Sequence, residues 1–331
     1  MRIAVDLMGG DNAPEAIFRG AMNAAREHPA WEYLLVGTHE ALDRRQELPE
    51  NATLVYCNSV MAMDEDVRGL MKKRDSSIWI ATELVKKGEA DAIVSAGSTA
   101  AQMACATLLL GRVPHVERPA IGTIIPTLEG GRFLLDVGAN VDCGEQQLVQ
   151  FARMGEIYSR LIQGVERPRV GLLVNGTEPH KGNNASRAAY ALLQDSGLNF
   201  IGNLEGRDIL TGGYDVLVCD GMSGNVAIKC IEGTTSALMK LIKQELTASP
   251  KRALGAALVK DGFTSIKARF DYEEYGGAPL LGVKGVSIVC HGSSGPRAIH
   301  QALELAASCF DSGLIEALTK ELDREEVKGD A

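Results

Sequence analysis

Ile3-Ala4-Val5-Asp6-Leu7-Met8-Gly9-Gly10-Asp11-Asn12 opens the chain with a short aliphatic run that breaks straight into glycine and small polar residues. Pro14 fits the first turn of a helix over 15–27, and Asn12 stands just before it. A strand, a polar loop and a helix in that order form the repeating unit of a parallel sheet covered on both faces. The unit recurs along the chain. Strands are expected near Ile3–Asp6, Tyr33–Val36, Thr53–Cys57, Asp91–Ser95, Ala120–Ile125, Arg132–Asp136, Val170–Val174, Phe200–Gly202, Val216–Asp220 and Val286–Cys290. A helix over 76–87 opens on Ser76 as N-cap and closes at Gly88. The fold class is therefore α/β, a Rossmann-like, doubly wound and mostly parallel sheet.

Six of the strands run into loops of the same character. They are Asp6–Asn12, Ser95-Ala96-Gly97-Ser98-Thr99, Asp136-Val137-Gly138-Ala139-Asn140, Asn175-Gly176-Thr177, Asp220-Gly221-Met222-Ser223-Gly224-Asn225 and His291-Gly292-Ser293-Ser294-Gly295. In an open parallel sheet the strand ends point to one rim, and ligands bind there. Helix N-termini bring unpaired N–H groups to that rim, each worth about 0.3–1 kcal/mol to an anion. Taken singly, such loops are ordinary; six on one expected rim favour an anion site. The candidate ligand residues are Gly9, Gly10, Asp11, Asn12, Gly97, Ser98, Thr99, Gly138, Asn140, Asp220 and Ser223.

Composition narrows the chemistry. The 331 residues are 45% hydrophobic, enough for a large core, and only 5% aromatic, with 36 glycines. Few aromatics argue against stacking platforms for single-stranded nucleic acid, and a net charge of −9 argues against any polyanion binder. The charged, short apolar start is not a signal peptide, and no uncharged stretch reaches the roughly 20 residues of a membrane span. Seven scattered cysteines without a CxxC pair read as buried reduced thiols, so a cytoplasmic setting is expected.

Several catalytic signatures fail. There is no G-x-G-x-x-G after the first strand, no P-loop, no H-E-x-x-H and no Cys/His cluster with zinc spacing, so neither cofactor nor metal is expected. The hydrolase elbow misses as well: Asn225 and Pro296 stand where G-x-S-x-G needs its last glycine. Direct attack by a bound substrate is then the simplest chemistry. Three side chains are catalytic candidates. Lys181 lies between a strand end and a helix start, a place for a phosphate ligand or for a solvated loop lysine. Asn225 is a donor to a substrate oxygen or a helix cap. His291 is an acid at the rim or a structural donor to a carbonyl. Tyr275–Gly285, dense in Gly and Pro, reads as backbone packed on a ligand or as a surface loop.

The stretch 229–269 departs in charge, with eight basic residues against three acidic ones. Lys240, Leu241, Ile242, Lys243, Lys251 and Arg252 make it a helical protrusion, about 226–272, within one α/β domain spanning 1–331. It is a docking surface for an acidic partner or an anionic membrane, a packed helix pair, or a dimer interface.

Taken together, these motifs resemble the bacterial acyl-ACP:phosphate acyltransferases, the PlsX family, over essentially the whole chain. The carriers are Ile3–Pro14, Val94–Thr99, Asp136–Asn140, Glu205-Gly206-Arg207-Asp208, Asp220–Val226, Glu274–Gly285 and His291–Ser294. The resemblance implies a fold related to isopropylmalate dehydrogenases and phosphotransacetylases, a homodimer, and transfer of a fatty acyl group from acyl carrier protein to inorganic phosphate. The acyl phosphate would feed a membrane acyltransferase in phospholipid synthesis. The enzyme would sit peripherally on the inner face of the cell membrane, through the protrusion. The family usually reads Ser-Ala-Gly-Asn-Thr-Gly-Ala where this chain has Ser95-Ala96-Gly97-Ser98-Thr99-Ala100-Ala101, so Ser98 reaches less far than Asn. The rivals are a dehydrogenase of the related fold and a non-catalytic membrane-associated scaffold.

Overall fold

The computed structural model describes residues 1–43, 48–269 and 276–329. Eleven strands form one sheet in the order β3-β2-β1-β4-β11-β10-β5-β6-β9-β7-β8. The first half is built by β1 (Arg2–Asp6), α1 (Glu15–Glu27), β2 (Glu32–Thr38), α2 (His39–Leu42), β3 (Ala52–Cys57), α3 (Ser77–Lys86), β4 (Ala92–Ser95) and α4 (Thr99–Cys105). A hairpin of β5 (Ala120–Thr127) and β6 (Gly130–Leu135) crosses the middle. The second half comprises α5 (Glu145–Ile162), β7 (Val170–Leu173), α6 (Asn184–Gln194), β8 (Phe200–Leu204) and β9 (Val216–Val218). After it come α7 (Gly221–Thr247), α8 (Pro250–Leu258) and α9 (Lys260–Arg269). The chain then returns to the centre with β10 (Ala278–Leu281) and β11 (Val286–Val289), and closes with α10 (Pro296–Asp311) and α11 (Leu314–Gly329).

Ile3, Ala4 and Val5 of β1 and Ala92, Ile93 and Val94 of β4 are wholly buried, as strands covered by helices on both faces require. Helix α1 lies so close on α10 that a Cβ on Gly20 would stand 2.6 Å from the Pro296 carbonyl oxygen.

Three neighbour pairs are antiparallel, β11 with β10, β10 with β5 and β5 with β6; the other seven are parallel. This arrangement overturns the expectation of a single rim. Each antiparallel pair reverses direction, so β6, β9, β7 and β8 run opposite to β1, β2, β3, β4 and β11. The six glycine-rich loops therefore start from two opposite lips, three at each. Two of them, after β6 and β7, do not lead directly into a helix, because α5 and α6 begin only at Glu145 and Asn184.

The Tyr275–Gly285 segment is also corrected. Its middle is the central strand β10, which pairs with β11 at Ala278 and Pro279 and with β5 at Leu280 and Leu281. Glu274, Tyr275 and residues 270–272 of the expected protrusion lie outside the described residues. Ser76 does precede α3, but its buried hydroxyl makes no cap hydrogen bond. Helices α7 and α8 stand largely away from the core: Gly221 and Gly224 are the buried residues of α7, and Leu238, Leu241, Leu254 and Leu258 are exposed.

Candidate functional site

The upper set of loops lies beyond β1, β4 and β11. Its anchor is the buried carboxylate of Asp6, which accepts from the Met8 amide at 3.1 Å and from the Ser95 hydroxyl at 2.7 Å. Burial pushes the Asp6 pKa up, against the pull of these donors. The Gly97 amide donates to Ser95 Oγ at 3.1 Å. Gly9 lies against Gly97, where a Cβ would come within 2.5 Å of the Gly97 nitrogen. The Asp11 amide donates to the Gly292 carbonyl at 2.7 Å, and the Asn12 side chain donates to the Ser293 carbonyl at 2.9 Å. Gly9, Gly10, Asp11 and Asn12 thus brace the Gly97 and Gly292 loops together. Asn12 is not the cap of α1; that position belongs to Pro14. Ser98 is the N-cap residue of α4 and Thr99 its first residue, the latter exposed.

The lower set lies beyond β6, β9 and β7. Asp136 is buried and accepts from the amides of Ile121, Ala139 and Asn140 and from Asn140 Nδ2, at 2.7 to 3.1 Å. Burial pushes its pKa up as well. Asn140 also donates to the Pro119 carbonyl, so its side chain is a structural tie. Asp220 accepts from the amide and hydroxyl of Ser223, which makes it the N-cap of α7. Both residues line a cavity of about 260 Å³ with Cys143, Asn183 and Ser186. Gly138 takes a φ of +129°, which favours glycine, and a Cβ there would point to Asn225 at 3.7 Å. Lys181 packs along Gly176 in the loop before α6, two residues from Asn183.

One contact joins the two sets. Lys229, a turn past Asn225 on α7, places Nζ 3.1 Å from His291 Nε2 of the upper set and 2.8 Å from Glu232 Oε2. On the other side of the ring Nδ1 lies 2.7 Å from Ser293 Oγ and accepts from the Ser293 amide at 3.2 Å, so Ser293 fixes the imidazole from one side while Lys229 approaches the other. In the sequence Lys229 stands only as one charge of the basic segment, and its i+4 spacing from Asn225 is the available signal. Lys240, Leu241, Lys243, Lys251 and Arg252 are exposed and Ile242 is half-buried, further along the protruding helices.

Burial pushes the Cys143 and Cys290 thiols up to about 12, and burial raises the Cys219 thiol well above its usual value too. A thiol held protonated is a poor nucleophile. No acyl-enzyme through these cysteines is indicated.

The loop sets depend on their buried carboxylates. Asp136→Ala strands three amides and one of the two side-chain N–H groups of Asn140 without an acceptor, so unfolding by urea is expected to show a loss of at least about 3 kcal/mol.

An open α/β sheet with glycine-walled loops, inert thiols and a bridging lysine suits a transferase working by direct attack. A phosphotransacetylase from Streptococcus pyogenes has a similar fold, with a TM-score of 0.62 at 17% identity over 94% of each chain. A family model described as "Fatty acid synthesis protein" matches residues 1–317. The phosphate acyltransferase of Desulfitobacterium hafniense (strain Y51) is 51% identical over 329 residues, 98% of either protein. That of Moorella thermoacetica is 51% identical over 322 residues, 96% of this chain and 95% of its own. The chain belongs to the fatty acid synthesis protein family, PlsX, and it is an acyltransferase.

Proposed function

We propose that this enzyme transfers a fatty acyl group from acyl carrier protein to inorganic phosphate. The observation that carries the reading is the Lys229–His291 contact, which sets a cation and an imidazole between two glycine-walled loop sets. The names of the relatives, phosphate acyltransferases, support the same acceptor.

In this mechanism hydrogen phosphate is held by the backbone amides of Ser98, Thr99 and Gly138, since those of Gly97, Ala139 and Asn140 already donate to Ser95 Oγ and Asp136, with Asn225 and Lys181 as further ligands. The dianion is already a nucleophile, so alignment rather than deprotonation is the main task. Its oxygen attacks the thioester carbonyl; the C–O bond forms, the C–S bond breaks, and the phosphate proton ends on the departing sulfur. Lys229 faces the negative charge that develops on the carbonyl oxygen. His291 relays the proton through Nε2, with Ser293 holding its ring. The products are an acyl phosphate and the free carrier thiol. Incubation with an acyl-carrier thioester tests this: thiol release should require phosphate, and release independent of phosphate would refute it.

The basic, leucine-bearing helices support peripheral membrane association as part of the same reading, with the carrier protein as the other candidate occupant. Among the described residues no helix is long and apolar enough to cross a membrane. Leu241 and Leu258 are 59% and 78% exposed. Replacing both by Ser is expected to weaken sedimentation with anionic liposomes about tenfold or more, at about 0.8 kcal/mol per buried CH2, while turnover with soluble substrates is kept. Undiminished sedimentation would remove these side chains from the surface. A homodimer and supply of acyl phosphate to a membrane acyltransferase belong to the same proposal.

A further inference from the structure

Far from the loops, the end of α1 and the face of α10 bring together two imidazoles and two carboxylates. His300 Nε2 lies 3.3 Å from Glu27 Oε2 and 3.4 Å from Glu304 Oε1, and His28 Nε2 contacts the same Glu304 oxygen. The ligand atoms of Glu27, His28 and His300 all lie within 4.8 Å of one another. Two donors bound tetrahedrally to zinc at about 2.05 Å are separated by about 3.3 Å, so Glu27 and His300 already stand at the spacing of two ligands of one ion, with the His28 nitrogen close by. Nitrogen and carboxylate oxygen are also the donors that a borderline divalent ion takes.

The group stands on a rigid base. His28 stacks flat on Trp31, with ring centroids 3.9 Å apart and planes 9° from parallel. His300 and Glu304 share a face of α10 one turn apart, and Gly20 locks α1 onto that helix.

We propose that Glu27, His28 and His300 form a site for a zinc-class divalent ion that pins the end of α1 to α10, with Glu304 as the outer partner that holds the imidazoles. Sequence spacing could not announce it, because the ligands come from both ends of the chain. The site is separate from the transfer reaction, which uses none of these residues.

The test is titration of the full-length, chelator-stripped protein with zinc against a chromophoric competitor, repeated with cobalt to read geometry in the visible spectrum. One ion per chain is expected, with a tetrahedral cobalt spectrum and a melting temperature that rises with zinc. Losing a single outer-shell partner typically costs about 10–100-fold in affinity, so the double variant His28→Ala/His300→Ala should lose more than about 100-fold. Glu27→Gln, at an exposed position, should lose about tenfold with its fold intact. Unchanged turnover with the acyl thioester reports that each variant is folded. No ion bound at about 10 μM free zinc would leave an ion-pair network alone and overturn the proposal. So would equal binding by the double variant, or cobalt bands showing thiolate ligation at the exposed Cys230.

Discussion

Gly224→Ala is expected to lower turnover by about 100-fold or more and to cost about 1–3 kcal/mol of stability. A Cβ at this position would stand 1.9 Å from the carbonyl oxygen of Asp136, a backbone atom that four hydrogen bonds to the Asp136 side chain hold in place. The start of α7 must therefore move away from the end of β6. Asn225 is the next residue and Lys229 lies just over a turn on, so both move with it. Misplacing reacting groups by about 1 Å can cost 100-fold when catalysis rests on alignment. Gly233→Ala on the same helix is the control. Nothing lies within 4 Å of its Cβ, so it should stabilise by up to about 1 kcal/mol and leave turnover alone. Steady-state kinetics with chemical unfolding of both variants checks the pair. Equal turnover in the two would detach the position of α7 from the chemistry.

Lys229→Met is expected to reduce kcat and kcat/KM together by about 100- to 1000-fold, the size of effect found when a charge-stabilising donor is removed. Met keeps much of the aliphatic length, and the lysine side chain is about half exposed, so stability should change by no more than about 0.5 kcal/mol. The split between kcat and KM decides the role. A donor that acts only on the developing oxyanion lowers kcat, whereas a ground-state phosphate ligand raises KM for phosphate. Lys181→Ala should show the second pattern. A Lys229→Met enzyme within tenfold of the parent would place its ammonium outside the reaction.

Much of the fold was legible because β1, β4 and β11 are aliphatic runs ended by glycine and small polar residues. The reversal in the middle of the sheet was missed, although a signal was present. Thr127 and Gly130 leave only two residues between β5 and β6, too few for the crossover that parallel strands need. Strand β10 was hidden by Gly276, Gly277 and Pro279, residues that ordinarily argue against a central strand. Pro279 is tolerated where pairing passes from β11 to β5, so neither ladder runs the length of the strand. At the site, Gly138, Asn225 and His291 were visible as punctuation and polar residues after strands. Their companions Asp6, Asp136 and Lys229 were not singled out as site residues. The first two act by burial, and the third by a contact with a residue 62 positions away.

The central claim is that an inorganic anion sits between the two loop sets under Lys229. Diffraction from crystals soaked in phosphate measures this directly. The expected result is a tetrahedral density within hydrogen-bonding distance of Lys181 Nζ and of amides of the Gly97 and Gly138 loops, beside Lys229 Nζ with room for a carbonyl oxygen between them. Density confined to another part of the surface, or the two loop sets too far apart to share one anion, would contradict it.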